Sequence, residues 1–178
     1  TPKASVYIIY NKDIKMTPKN KLCYSVLCNI LRTRYIATIR EKEGGTYGVS
    51  VKGSMDKIPS QNGTMIVSFD TEPSKAQHLK EIAMAEIDSV LKDGVTQEEI
   101  TNVVKNLLKE RAQIKSKNEF VATTLKTYVL EGVDNSDPKN YEDILNNMKP
   151  SDIQKFAKKF FKKADIIDII FTTDENNM

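Results

Sequence analysis

Apolar residues change their spacing several times along the chain, and each change marks an element. Residues 5–10 (Ser-Val-Tyr-Ile-Ile-Tyr) are β-branched and aromatic, which predicts a strand. Thr17 then offers a hydroxyl N-cap, and Pro18 fits the first helical position. From there Leu22, Val26, Leu27, Ile30 and Leu31 recur at helical spacing, so a helix should run to about Ile39 or Arg40 and stop before Gly44-Gly45. Residues 47–51 (Tyr-Gly-Val-Ser-Val) and 64–69 (Thr-Met-Ile-Val-Ser-Phe) read as two strands. Between them Pro59 and Asn62-Gly63 supply turn chemistry suited to antiparallel neighbours.

The second half is helical. Leu79, Ile82, Ala83, Glu86, Ile87, Val90 and Leu91 give an amphipathic helix over 75–91 that ends at Gly94. Thr96 and Glu99 have capping-box spacing and open a helix with Ile100, Val103, Val104, Leu107 and Leu108 on one face. Further helices are expected over 119–130, closed by Gly132, and over 141–148 and 151–161, split by Pro150; Ser151 and Gln154 again have capping-box spacing. An apolar strand over 166–171 ends the series. The order β-α-β-β-α-α-α-α-α-β predicts an α+β fold: an antiparallel-rich sheet covered on one face by helices. No repeat, low-complexity tract or linker interrupts residues 1–178, so one domain is expected.

Composition narrows the function classes. An apolar share of 39% over 178 residues is enough for a real core. Lys plus Arg is 27 against 24 for Asp plus Glu, a net charge of +3, and no aromatic-rich basic strand is present; a nucleic-acid partner is not expected. No apolar run approaches the ~20 residues that span a bilayer. Cys23 and Cys28, five residues apart on one predicted helix, point to different faces and are read as reduced. The start Thr1-Pro2-Lys3, with neither an initiator Met nor a signal-peptide apolar stretch, reads as that of a piece of something longer, so a longer parent is expected.

Candidate chemistry is sparse. His78 is the single histidine, and His78-Leu79-Lys80-Glu81-Ile82 copies the inverted zinc motif His-x-x-Glu-His except that Ile82 replaces the second imidazole. Zinc needs three or four N, S or O ligands, and Ile82 fits the apolar stripe of its helix, so no metal is expected here. Neither cysteine has a nearby base to make it a nucleophile. Gly44, Gly45 and Gly48 follow a helix and lead into a strand, the reverse of a phosphate-binding loop. The lysines of residues 149–163 are read as the solvated side of a helix whose core side is Ile153, Phe156, Ala157, Phe160 and Phe161.

The corner from Leu31 to Gly48 is different, because a helix end, two glycines and a strand start carry Arg, Glu and Tyr together. Arg40 offers a planar, permanently charged fork of donors and Tyr47 a phenol donor. Aimed at one spot, they could hold a peptide carbonyl or an oxyanion. The residues alone allow an ordinary alternative equally well: Arg40 paired with Glu41 or Glu43, and Tyr47 half buried.

The stretch Ile39-Arg40-Glu41-Lys42-Glu43-Gly44-Gly45-Thr46-Tyr47-Gly48-Val49, after a long helix with Leu31-Arg32, closely resembles the pitrilysin/insulinase family of zinc metallopeptidases, the inverzincins. It is similar to the half of that architecture without the metal. Ser68-Phe69-Asp70-Thr71-Glu72-Pro73 and Gly94-Val95-Thr96-Gln97-Glu98-Glu99 resemble the family's next strand and helix junction, and agreement runs from about Ser5 to Phe171.

The resemblance implies a domain like those of the pitrilysin and mitochondrial processing peptidase fold. It implies a parent zinc metalloendopeptidase in which an N-terminal half holds zinc and a C-terminal half closes over the peptide substrate. The family's metal motif sits on the helix after the first strand, and the matching helix here has no histidine. The implied catalytic contribution is Arg40 and Tyr47 reaching a site in another domain: Tyr47 to the scissile carbonyl, Arg40 to the substrate backbone. Implied partners are the peptide and the zinc-binding N-terminal half, on the same chain or another; the isolated piece should be inactive. A Gram-negative cell-envelope location accompanies the resemblance. The competing expectation is a non-catalytic scaffold module of the same fold.

Overall fold

A computed structural model describes residues 2–172. Strand β1 (Ala4–Asp13) leads to helix α1 (Pro18–Tyr35), where the Thr17 hydroxyl accepts the Asn20 amide at 3.1 Å and Pro18 opens the helix. Strands β2 (Val49–Asp56) and β3 (Asn62–Thr71) form the expected hairpin. Helices α2 (Ala76–Asp93), α3 (Gln97–Ile114), α4 (Asn118–Glu131), α5 (Glu142–Asn146) and α6 (Pro150–Phe161) follow, and strand β4 (Asp165–Thr172) returns to the sheet. Among the described residues the strands make one antiparallel sheet in the order β2-β3-β1-β4.

Strand alternation decides the layering. Val6, Ile8 and Tyr10 on β1, with Met65, Val67 and Phe69 on β3, point to the helix side and are buried. They meet Leu27, Ile30 and Leu31 of α1, Leu79, Ala83 and Ile87 of α2, and Phe156 and Phe160 of α6 in one continuous core. The opposite face keeps apolar groups at the surface: Tyr7 and Phe171 pack edge to face at 5.9 Å, and Ile167 is exposed. Burial of the whole inner set supplies the main folding drive.

Charged groups join the helices where apolar faces run out. Arg34, near the end of α1, donates to both oxygens of Glu99 (2.6 and 2.9 Å), to Glu86 at 3.2 Å and to the Gly94 carbonyl at 3.2 Å. Glu99 also closes the expected capping box of α3, accepting the Thr96 amide at 2.7 Å while its own amide donates to the Thr96 hydroxyl at 3.1 Å. Arg111 of α3 is buried between the rings of Tyr141 and Phe120, 3.9 and 4.9 Å from their centroids.

Two local expectations are corrected. Helix α6 begins at Pro150 rather than Ser151, because proline fits its first position; Asp152 accepts the Lys149 amide at 3.1 Å, and no Ser151–Gln154 capping box forms. Gln154 instead donates to the last-turn carbonyls of α2, Leu91 at 3.3 Å and Lys92 at 3.1 Å. The expected helix over 141–148 is shorter, with a 3-10 turn (Pro138–Asn140) ahead of α5.

Candidate functional site

The corner with Arg40 and Tyr47 is built by a change of helical pitch. After Tyr35 the helix widens into a π-helical stretch (Ile36–Lys42), and the chain leaves it through wide bonds, Glu43 amide to Thr38 carbonyl and Gly45 amide to Ile39 carbonyl, both 3.2 Å. Ile39 stays fully buried and anchors the turn, while Arg40 next to it is exposed. Gly44 takes φ +57, a left-handed conformation that side-chain-bearing residues rarely adopt.

Tyr47 lies in the following loop, since β2 begins only at Val49. Sequence alternation placed it on the strand. The difference has a local cause: the Thr46 hydroxyl donates to the Gly48 carbonyl at 3.0 Å and accepts the Gly48 amide at 3.2 Å, closing a small side-chain turn that delays the strand. As a result Tyr47 is 96% exposed, the most exposed large hydrophobic residue described.

The ordinary alternative pairing is not what the structure contains. Arg40 makes no ion pair among the described residues, and Glu43 faces His78 of α2 instead, with Nε2 3.4 Å from its carboxylate oxygen. Tyr47 lines an open cleft of about 490 Å³, bounded by residues 44–47 on one side and by Lys3 and residues 70–72 on the other. Arg40 is on the same corner but does not line that cleft. A somewhat larger groove of about 550 Å³ between α1 and β2, lined by Tyr24, Cys28, Val51 and Met55, includes neither residue.

Lys3, Asp70 and Glu72 were not singled out as site residues by the sequence. Their only signal there is that residues 70–72 continue a strand-to-turn segment bearing the family resemblance. On the cleft rim Asp70 accepts from the Ser5 hydroxyl (2.7 Å) and Lys3 (3.1 Å), which holds its carboxyl below the ordinary range.

The residues here do not suit zinc. His78 stands 3.4 Å from a Glu43 carboxylate oxygen, and Ile82 packs against the core where a second imidazole would stand. Among the described residues no three His, Cys, Asp or Glu side chains gather as a ligand set. Nor do the cysteines offer a nucleophile: burial pushes the Cys23 thiol up to about 11 and the Cys28 thiol up to about 12, so both stay protonated at neutral pH. Cys23 and Cys28 are both free.

The described residues thus form an antiparallel sheet with helices on one face, with Arg40 and Tyr47 exposed at one corner. The family model of the peptidase M16 inactive domain matches residues 1–107, more than half the chain. The chain belongs to that family.

Solved structures agree on the fold. The periplasmic protease PqqL from Escherichia coli superposes with a TM-score of 0.80 at 17% identity, covering 96% of this chain and 19% of its own. A protease from Helicobacter pylori gives 0.74 at 15% identity, covering 94% and 40%, and a peptidase M16 inactive domain from Pseudomonas fluorescens gives 0.72 at 17%, covering 96% and 41%. This chain therefore spans about a fifth to two-fifths of the length of those proteins. No curated protein matches it.

Proposed function

We propose that this domain is the accessory C-terminal-half domain of a zinc metalloendopeptidase, closing over a peptide held by a zinc-binding N-terminal half. Zinc belongs to that other half, where it supplies the Lewis acid for peptide hydrolysis. The observation that carries this reading is the corner itself: a permanently charged guanidinium, next to the buried Ile39 and without an ion-pair partner among the described residues, and a phenol 96% exposed in the loop that follows. A single exposed aromatic ring is ordinary on a protein surface; the reading is supported by its standing on the same corner as an exposed guanidinium, unpaired among the described residues, within the stretch that carries the family resemblance.

In this role Tyr47 donates a hydrogen bond to the scissile carbonyl as its oxygen gains charge, and Arg40 donates to neighbouring backbone carbonyls of the extended peptide. The PqqL neighbour is a periplasmic protease, and a periplasmic location is proposed here by analogy. The test is made in the full-length protein with Arg40→Gln. The reading expects weaker peptide binding, seen as a raised KM, with zinc content unchanged. Unaltered cleavage by this variant would contradict the assignment of Arg40.

A further inference from the structure

We infer that the free edge of β2 takes an extended segment of the peptide as an added fifth strand, continuing from the bond that Tyr47 contacts; this rests on the reading above. In the sheet β2 pairs with β3 alone, so one row of its amides and carbonyls faces outward, and no other backbone group among the described residues bonds to that row. Edge strands are commonly blunted by proline, a bulge or an inward charge. β2 contains no proline and keeps an unbroken register with β3 over eight residues. Lys52, its one charged residue before Asp56, alternates onto the face opposite Val51.

The groove of about 550 Å³ lies along this edge, lined by α1 and β2 and by no third element. α1 presents Lys21, Tyr24, Ser25, Cys28 and Asn29 to it, spaced as one helical stripe. The helix layer therefore reaches past the last strand and leaves room where the next one would lie. Val51 and Met55, with Cys28 across the groove, are partly buried and would meet alternate side chains of the added strand. Gly53 between them keeps the floor clear, because a Cβ there would stand 2.2 Å from the Tyr24 hydroxyl. Strand addition suits such an edge: main-chain bonds supply affinity, and apolar contacts at alternate residues supply preference. The other edge, β4, lacks the continuity of β2, which starts two residues after Tyr47 and leads away from the corner for about 26 Å, at ~3.3 Å per residue.

The test gives the full-length protein a short peptide that it cleaves, and the same peptide lengthened by alternating Val and Thr residues on one or the other side of the cleaved bond. One lengthened peptide should have a KM about tenfold below that of the short one. Asn29→Trp, filling the groove from a half-buried position, should abolish that gain and leave kcat and KM for the short peptide unchanged; Arg32→Trp, exposed on the same helix, should do neither. N-methylating the added amides one at a time should raise KM about five- to tenfold at every second residue and less in between, a period that apolar contact alone does not produce. No effect of length, or no alternation, with Tyr47→Phe still slow, would overturn the added strand and leave the corner assignment intact. A dimer that Asn29→Trp dissociates, with no effect of peptide length, would give the edge to a second copy of the chain and overturn the inference equally. Unchanged turnover in Tyr47→Phe would remove the reading above and the inference with it.

Discussion

Gly45 lies directly against Leu79: a Cβ added at position 45 would stand 2.5 Å from Leu79 Cδ1. Leu79 is fully buried in the first turns of α2, so it cannot swing away freely. The close approach seats the Arg40/Tyr47 corner on the core. Gly45→Ala should therefore cost about 1–3 kcal/mol of stability by overpacking and displace the corner. Gly44→Ala, in open space but at φ +57, should cost about 1 kcal/mol through backbone strain alone. Denaturant unfolding of the two variants measures the difference, and activity of the full-length protein should suffer more from Gly45→Ala.

The Arg34 cluster predicts a pH dependence. Hydrogen bonding from Arg34 holds the Glu99 carboxyl below its ordinary 4.5. A carboxylate whose folded value is depressed adds stability above the unfolded value and loses it as pH falls through the folded one. The thermal midpoint should thus drop as the pH is taken below 4.5. Lys19, hydrogen-bonded to Asp152, depresses that carboxyl too and adds to the fall. Arg34→Met should cost about 2–3 kcal/mol near neutrality, leaving two partly buried carboxylates without their cation, and should flatten the acid drop.

Thiol reactivity separates folded from unfolded protein. Cys28 lines the groove between α1 and β2, yet burial keeps its thiol protonated at neutral pH, as it does that of Cys23. Titration with a disulfide reagent at pH 7 should find both cysteines slow in the native protein and fast in denaturant. Immediate reaction of Cys28 in the native state would contradict the packing of α1 against β2.

Helix α4 should be the least protected of the long helices. No residue in it is buried; Val121, Leu125, Tyr128 and Val129 face solvent at 61, 61, 58 and 71% exposure. Hydrogen exchange should run faster in α4 than in α1, where eight residues are buried.

Much of this fold was legible because local signals agreed with one another. Thr17-Pro18, the Thr96/Glu99 box, Gly94 and Gly132 each punctuate a helix where the sequence placed them. The corner was legible as a helix-to-strand change rich in Arg, Glu and Tyr, but its form was not. The π-helical widening and the Thr46 turn depend on how Ile39 and Gly45 settle on α2, a tertiary matter. The cleft was hidden for the same reason, because Lys3 and Asp70 meet only through the β1–β3 register. In α4 the apolar stripe signals burial without saying against what; Phe120, Thr124 and Thr127 turn partly inward instead.

The most direct measurement is single-turnover peptide cleavage by the full-length protein carrying Tyr47→Phe, with zinc measured on the same sample. Loss of one phenol donor should slow the chemical step by about a hundredfold or more, with zinc content unchanged. Wild-type turnover in that variant would contradict the claim that Tyr47 reaches a peptide bond being cut in another domain.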